Sequence, residues 1–458
     1  MSLYEPKFAL AIVADTRDDF YPQREWIVRD ELQKIRWLHQ NAQMLESPVL
    51  RSVEAINEFS KSVKNFGAQA MIILFPIWAD PELSVQLQMQ CRLPLLLFGN
   101  GRPDSSSAVG LLGAGGALDQ AGLTHARIFS DTEENRRTIK AFLRAAATAE
   151  NLRGNRALRF GGRSLGIMTA EPNELELIKR FGVTTNIVDQ NEIITQARLI
   201  PRNIVEHHMN WIIQKTEIVF DEIFTADTLE KQVRAYIAAK LLSESYHADL
   251  IGIKCQRELS DGYVVQCLTH LLLNGTEDAD GKKNPLVCAC ESDTNGALTM
   301  RILHLLSNGQ PAALMDVRTL DSKTGKLILA NCGAIPEDMM REPDAPVLSG
   351  CGMRRHIFGK GGGGGFSGTL RRGEVTMARL CIRNQKYWMA VSKGVSADVP
   401  DEDRDMIPRT FPSAMVNSSF DDSFLREFGS NHLHIVFGDY TEEVRQLCSL
   451  LEIECRVW

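Results

Sequence analysis

The 458-residue sequence contains no run of about 18 apolar residues, so a membrane-spanning helix is not expected. It has no basic tract either. Its 51 Lys and Arg are scattered among 58 Asp and Glu, for a net charge of −7, which argues against nucleic acid as a partner. No CxxC pair occurs among the ten cysteines, and the closest two, Cys288 and Cys290, fall short of a tetrahedral zinc site. Several cysteines lie inside apolar runs, where a reduced thiol behaves as a small hydrophobe, so a cytoplasmic protein is expected. The first residues lack a charged segment followed by an apolar one, so no secretory signal is read there. Gly110-Leu-Leu-Gly-Ala-Gly-Gly116 lacks both the GxGxxG order and a Lys-Ser/Thr, so no nucleotide cofactor is expected. Gly162-Arg-Ser-Leu-Gly166 spells Gly-x-Ser-x-Gly but precedes an expected strand, whereas a nucleophile elbow follows one.

What is present reads as an ordinary globular composition, 44% hydrophobic and 24% charged. At roughly 100–200 residues per domain, two or three domains are expected. The N-terminal third alternates apolar runs at 8–14, 70–76 and 93–98 with helical stretches at 25–41, 81–90 and 131–151. Runs that are apolar at every position suit parallel strands buried on both faces. A polar, Gly/Arg-rich stretch at 154–163 reads as a linker, followed by a strand at 164–169. The second unit then shows a helix opening with a capping box near Asp227-Thr-Leu-Glu230. Buried strands at 250–254 and 285–290 follow, each succeeded by a helix, at 263–274 and 296–307. After about residue 309, short strands separated by Gly, Pro and Asp read as a mostly antiparallel β domain closed by a helix at 441–451. The expected class is therefore α/β. Two open parallel-sheet domains, 1–162 and 163–308, precede a β-rich domain at 309–458. Gly359-Lys-Gly-Gly-Gly-Gly-Gly365 is too glycine-rich to order itself and suits a mobile loop or lid.

Two acids stand in suggestive places. Glu291 directly follows the apolar run ending in Cys290, and Asp316 follows Pro311-Ala-Ala-Leu-Met315, 25 residues later. Acids at the carboxyl ends of strands in an open α/β sheet lie where such folds bind ligands. The plain alternative for each is a helix N-cap or a structural salt bridge. Near the C-terminus, Phe428-Gly-Ser-Asn-His432-Leu-His434 offers an imidazole. One imidazole with two carboxylates suits a divalent ion such as Mn²⁺ or Mg²⁺. His432 and His434 would share one strand face, and spacing does not rank them.

These segments resemble a known family. Ile251-Gly-Ile-Lys-Cys-Gln-Arg-Glu-Leu-Ser-Asp261, Cys288-Ala-Cys-Glu-Ser-Asp-Thr-Asn-Gly-Ala-Leu-Thr-Met300, Met315-Asp-Val-Arg318 and Gly429-Ser-Asn-His432 with Gly438-Asp-Tyr440 are similar, in order and spacing, to the motifs of L-fucose isomerases. The wider group includes L-arabinose isomerases. The resemblance implies a metal-dependent aldose–ketose isomerase acting on an L-fucose-, D-arabinose- or L-arabinose-like sugar through an enediolate. It implies Glu291, Asp316 and His432 as ligands of Mn²⁺, or of Mg²⁺ or Co²⁺, with Glu291 and Asp316 also carrying protons. Arg17 and Trp78 match the family's substrate contacts in the first domain, and Asn431 is a further candidate. Lys254 stands where L-fucose isomerases carry a glutamine, a change that favours an acidic or modified sugar. Its structural alternative is an ion pair with a carboxylate such as Glu291. The resemblance also implies a homo-oligomer, trimer or hexamer, in which a neighbour's first domain completes the site. The rival readings are a sugar-binding protein without catalysis and a metal-dependent sugar aldolase. A contribution from His434 or His356 is left open.

Overall fold

The computed structural model describes residues 4–40, 42–333 and 335–458. Met1–Leu3, part of the N-terminal reading, and Asn41, the expected end of the first helix, lie outside the described residues. The chain divides into two compact units, 1–150 and 151–458.

Unit 1 is a five-stranded parallel sheet in the order β2-β1-β3-β4-β5. Its strands are β1 (Lys7–Val13), β2 (Gln43–Leu50), β3 (Ala70–Phe75), β4 (Leu95–Gly99) and β5 (Ala126–Phe129). All six residues of β3 are buried, as expected of a strand covered on both faces. Helix Val53–Phe66 shows how local chemistry bounds an element. Ser52 caps its first turn by accepting from the Ala55 amide, and Gly67 ends it at φ 71°, a conformation glycine adopts without Cβ strain. The order places a topological switch between β1 and β3, where doubly wound sheets open a ligand crevice at their carboxyl edge. Gly110–Gly116 lies inside helix Ser107–Gln120, so this glycine cluster forms no phosphate loop. Gly110 is there for packing, since a Cβ would lie 3.0 Å from the Ala79 amide nitrogen.

Unit 2 begins with β6 (Arg156–Phe160), where a linker was expected. The strand anticipated at 164–169 is instead a turn and a short 3-10 segment, Met168–Ala170. Alternation of Ala157, Leu158 and Phe160 with two arginines hid β6, because the arginine in its middle, Arg159, is itself buried and paired. After β7 (Thr184–Val188) and β8 (Glu217–Val219), helix Ala226–Ser245 is capped by Thr225 and Thr228 in a reciprocal box, not by the Asp227–Glu230 pair. Then come β9 (Leu250–Ile253), the hairpin β10 (Glu277–Asp278) and β11 (Gly281–Lys282), and β12 (Val287–Cys290). The sheet order is β12-β9-β6-β7, all parallel.

The rest of unit 2 comprises β13 (Ala313–Asp321), β14 (Lys326–Ala330), β15 (Gly352–Arg355), β16 (Gly364–Ser367), β17 (Gly373–Arg383), β18 (Lys386–Ala397), β19 (Ser413–Ser418), β20 (His432–Phe437) and β21 (Glu454–Val457). Antiparallel pairings run β17-β20-β13-β14-β19-β18 and return from β18 to β17, so six strands close on themselves. Strand β21 adds to β18 in parallel. Helix Thr294–Leu306, buried nearly all round, packs on β12, β17 and β20 and so joins sheet to barrel. The glycine-rich run is no mobile lid. Gly362–Phe366 is buried, β16 pairs with β15, and Gly364 is bound through both its amide and its carbonyl by Gln232. A Cβ on Gly364 would lie 2.6 Å from the Phe224 ring, so close packing explains the glycine.

Candidate active site

The site forms where the β12 end of the parallel sheet meets the barrel. After Cys290 the chain turns through Glu291 and Ser292 at φ 60° and 56°, left-handed conformations that cost non-glycine residues about 1–3 kcal/mol each. The turn is held from several sides. Ser292 donates its amide to the Ile253 carbonyl and its hydroxyl to the Gly161 carbonyl. Gly252 makes room for it, because a Cβ there would lie 2.9 Å from the Ser292 Cα. Asp293 then caps helix Thr294–Leu306, accepting from the Gly296 amide at 2.8 Å.

Asp316 is not at the end of a sheet strand, as the sequence suggested. It lies within antiparallel β13, directly opposite His432 on β20. Its apolar lead-in, Ala313–Met315, is a barrel strand rather than a second α/β edge. The cross-strand pairing does what the expected strand end would have done. His432 Nε2 stands 3.0 Å from Glu291 Oε2 and 3.5 Å from Asp316 Oδ1. That nitrogen is buried and makes no well-formed hydrogen bond. Asn431 donates to Asp316 Oδ1 at 3.3 Å. The other imidazole nitrogen, Nδ1, lies 2.6 Å from Asp293 Oδ2. Arg379 grips the same carboxylate, Nη2 reaching Oδ1 at 3.2 Å and Nη1 reaching Oδ2 at 2.5 Å. Arg379, Asp293 and His432 are completely buried.

Electrostatics follow from this packing. Burial pushes the His432 imidazolium down, but its bond to Asp293 and its contact with Glu291 outweigh this and carry it up to about 10. Burial raises Asp293, yet Arg379 and His432 hold its carboxyl far below the usual range. Asp316 is raised, by burial first and by the neighbouring Glu291 charge as well.

The remaining candidates separate. Lys254 follows β9 and pairs with Glu258 at 2.6 Å, not with Glu291. Because Ile253 pairs with Cys290, Lys254 and Glu291 leave adjacent strands at the same edge. Arg17 and Trp78 belong to unit 1, beyond the ends of neighbouring strands β1 and β3, at its switch point. Arg17 is paired with Asp15 and lies over the Phe20 ring. His434 shares the strand face with His432, but its Nδ1 faces the Ala378 carbonyl at 3.3 Å. His356 packs between Phe358 and Phe411 and lines a small cavity with Cys255, Cys267, Cys290 and Cys332. All ten cysteines are free. Asp293 and Arg379 escaped the sequence reading. Their signal was an arginine in the middle of the otherwise apolar Met377–Ile382 stretch, a charge that can be buried only if paired.

As the side chains stand, no group of three or more His, Cys, Asp or Glu among the described residues is arranged to hold a metal ion. No described helix is long and apolar enough to cross a membrane.

A buried imidazole between two carboxylates, set at the join of sheet and barrel, is the equipment of an enzyme. Comparison with known proteins agrees. Residues 44–154 match the first N-terminal domain of L-fucose isomerase and residues 329–458 its C-terminal domain. A sulfoquinovose isomerase from Priestia aryabhattai is 24% identical, with 93% of this chain and 94% of the relative aligned. An L-fucose isomerase from Haemophilus influenzae is 23% identical over 83% of this chain and 78% of its own. One from Bacteroides thetaiotaomicron is 25% identical over 69% and 67%. The chain is an isomerase, and it belongs to the L-fucose isomerase family. Glu291 and Asp316 lie between the two matched stretches, and His432 lies inside the second.

Proposed function

We propose that this protein is a divalent-metal-dependent aldose–ketose isomerase whose preferred substrate is an anionic sugar of the sulfoquinovose type, a hexose with a sulfonate at C6. The observation that carries the reading is the approach of Glu291 and Asp316 to one buried nitrogen of His432 that makes no well-formed hydrogen bond. The donor set fits an ion of Mn²⁺ type: one imidazole nitrogen, two carboxylates, and no thiolate among the three. When bound, such an ion supplies Lewis-acid stabilisation of negative charge developing on the sugar's O1 and O2.

The protein's own residues do the rest. Isomerisation moves a proton between C1 and C2, so one carboxylate must take a proton from one carbon while an acid returns one to its neighbour. Glu291 and Asp316 lie within 3.0 and 3.5 Å of the same atom, close enough together to address adjacent carbons of one chain. Asn431, fixed by its bond to Asp316, is available to a substrate hydroxyl. His432 is fully buried, while Glu291 and Asp316 keep 14% and 27% of their side chains open, so a sugar can reach both carboxylates.

Lys254 supports the anionic sugar. It is a point charge with three donors at the edge that Glu291 occupies, and its partner Glu258 is a surface-facing carboxylate that a sulfonate can displace. The nearly full-length relatives named for sulfoquinovose point the same way. The proposal includes a homo-oligomer in which Arg17 and Trp78 of a neighbouring copy face the sugar. A 51.1 kDa species with full activity in sedimentation would refute that part.

The test is solvent deuterium exchange at C2, with metal-stripped and Mn²⁺-restored protein, on sulfoquinovose, L-fucose and aldopentoses. Restored protein should exchange sulfoquinovose fastest, and stripped protein should exchange none. Exchange that survives chelation contradicts the metal dependence, and faster turnover of L-fucose contradicts the anionic substrate. Lys254→Gln should lower the sulfoquinovose rate more than the L-fucose rate, by about tenfold in their ratio. Equal losses would remove Lys254 from specificity.

A further inference from the structure

We infer that Asp293, clamped by Arg379, is the positioning residue that fixes the His432 imidazole for ion binding. The inference rests on the metal reading above and adds to it two residues that touch neither sugar nor ion.

The carboxylate of Asp293 has every acceptor position used. Oδ2 takes His432 Nδ1 and Arg379 Nη1, while Oδ1 takes Arg379 Nη2 and the Gly296 amide. Arg379 is itself tied down, since Nη2 also donates to the Thr169 carbonyl at 2.8 Å. Neither side chain reaches solvent, so no water can substitute for a lost bond. The consequence falls on the imidazole. An ionised carboxylate only accepts, so the nitrogen facing it must carry hydrogen, which leaves Nε2 as the nitrogen turned toward Glu291 and Asp316. A ring flip would set a C–H against Asp293 and forfeit a charge-assisted bond. His434, two residues along the same strand face, shows what happens without such a partner. Its Nδ1 meets only a backbone carbonyl at 3.3 Å, and its Nε2 packs toward Gly296, where a Cβ would come within 2.8 Å.

The arrangement also explains why helix Thr294–Leu306 starts where it does. Asp293 is at once its N-cap and the anchor of His432, so the helix, β17 and β20 meet on one side chain. The orienting group is thereby as rigid as the fold.

Asp293→Asn is the first variant, because asparagine caps a helix as well as aspartate does. Since it leaves Arg379 buried without a counter-charge, Asp293→Asn/Arg379→Gln removes both charges together. The readout needs no sugar: Mn²⁺ is titrated into the metal-free full-length protein while the free-ion signal is followed by electron paramagnetic resonance. Either folded variant should bind Mn²⁺ about 10–100-fold more weakly than wild type. Exchange activity should return toward wild type at saturating Mn²⁺, which a general structural lesion would not allow. Affinity within twofold of wild type in a folded variant overturns the inference while leaving the metal reading intact. Wild type that binds no Mn²⁺ overturns the metal reading, and this inference with it. Should neither variant fold, ¹⁵N-histidine-labelled wild type loaded with Zn²⁺ decides: His432 should show a protonated Nδ1 and a bound Nε2, and the opposite tautomer is the contrary result.

Discussion

The two units carry their polar groups in opposite ways. At the carboxyl edge of unit 1, Arg17 is 58% exposed and pairs with Asp15, two residues away. Its neighbour Arg51 pairs with the solvent-exposed Asp18. In unit 2, Asp293 binds Arg379 and His432 across separations of 86 and 139 residues, with all three fully buried. Arg17 is anchored on the fully buried Asp15 but keeps a solvated side that an incoming ligand can meet. A buried network cannot rearrange without leaving a charge unsatisfied. On the function proposed above, unit 2 would supply the fixed chemical geometry and unit 1 a half-solvated edge for recognition.

The largest expected effect falls on the fixed region. Glu291→Gln and Asp316→Asn should each lower kcat by about 10²–10⁴-fold, the range for a positioned acid or base. The circular dichroism spectrum should stay unchanged. A loss below tenfold in a folded variant would mean these carboxylates do not carry the protons. On the adaptable region, Arg17→Ala and Trp78→Ala should raise KM by about tenfold and alter kcat less, as removal of uniform binding does. Equal falls in kcat and in kcat/KM would instead put unit 1 in the chemistry and erase the contrast.

A smaller effect concerns acid stability. Burial holds His270 and His304, both in unit 2, neutral with values pushed down to about 4. Because their folded values lie below the ordinary 6.5, their contribution is complete above pH 6.5 and fades as pH falls toward 4. It amounts to at most about 3 kcal/mol each. Thermal unfolding should therefore shift downward between pH 6.5 and 4, and His270→Gln should flatten that slope. An unchanged slope in the variant would remove His270 from the acid response.

Much of this contrast was legible in the sequence, for a physical reason. Strands such as Ala70–Phe75 announce themselves because burial on both faces demands an unbroken apolar run. Glu291 stood out because a charge at the end of such a run needs a purpose. Features set by partners distant in the chain were harder to see. Arginines disguised β6 because the group satisfying Arg159, Glu171, lies in the following turn. The glycine run looked mobile because its order comes from Gln232 and Phe224, more than 100 residues earlier. Asp316 was singled out as the end of a sheet strand, whereas it lies within a barrel strand opposite a cross-strand histidine. Arg379 signalled a buried charge, but its partner Asp293 was hidden because the fold alone brings residues 86 positions apart together.

On the function proposed above, Glu291, Asp316 and His432 share one ion. Anomalous X-ray diffraction from crystals of metal-stripped protein soaked in Mn²⁺ tests it most directly. A single strong peak is expected, about 2.0–2.3 Å from an oxygen of Glu291, an oxygen of Asp316 and Nε2 of His432. A manganese peak elsewhere with this trio untouched, or no peak at all at saturating Mn²⁺, would contradict it.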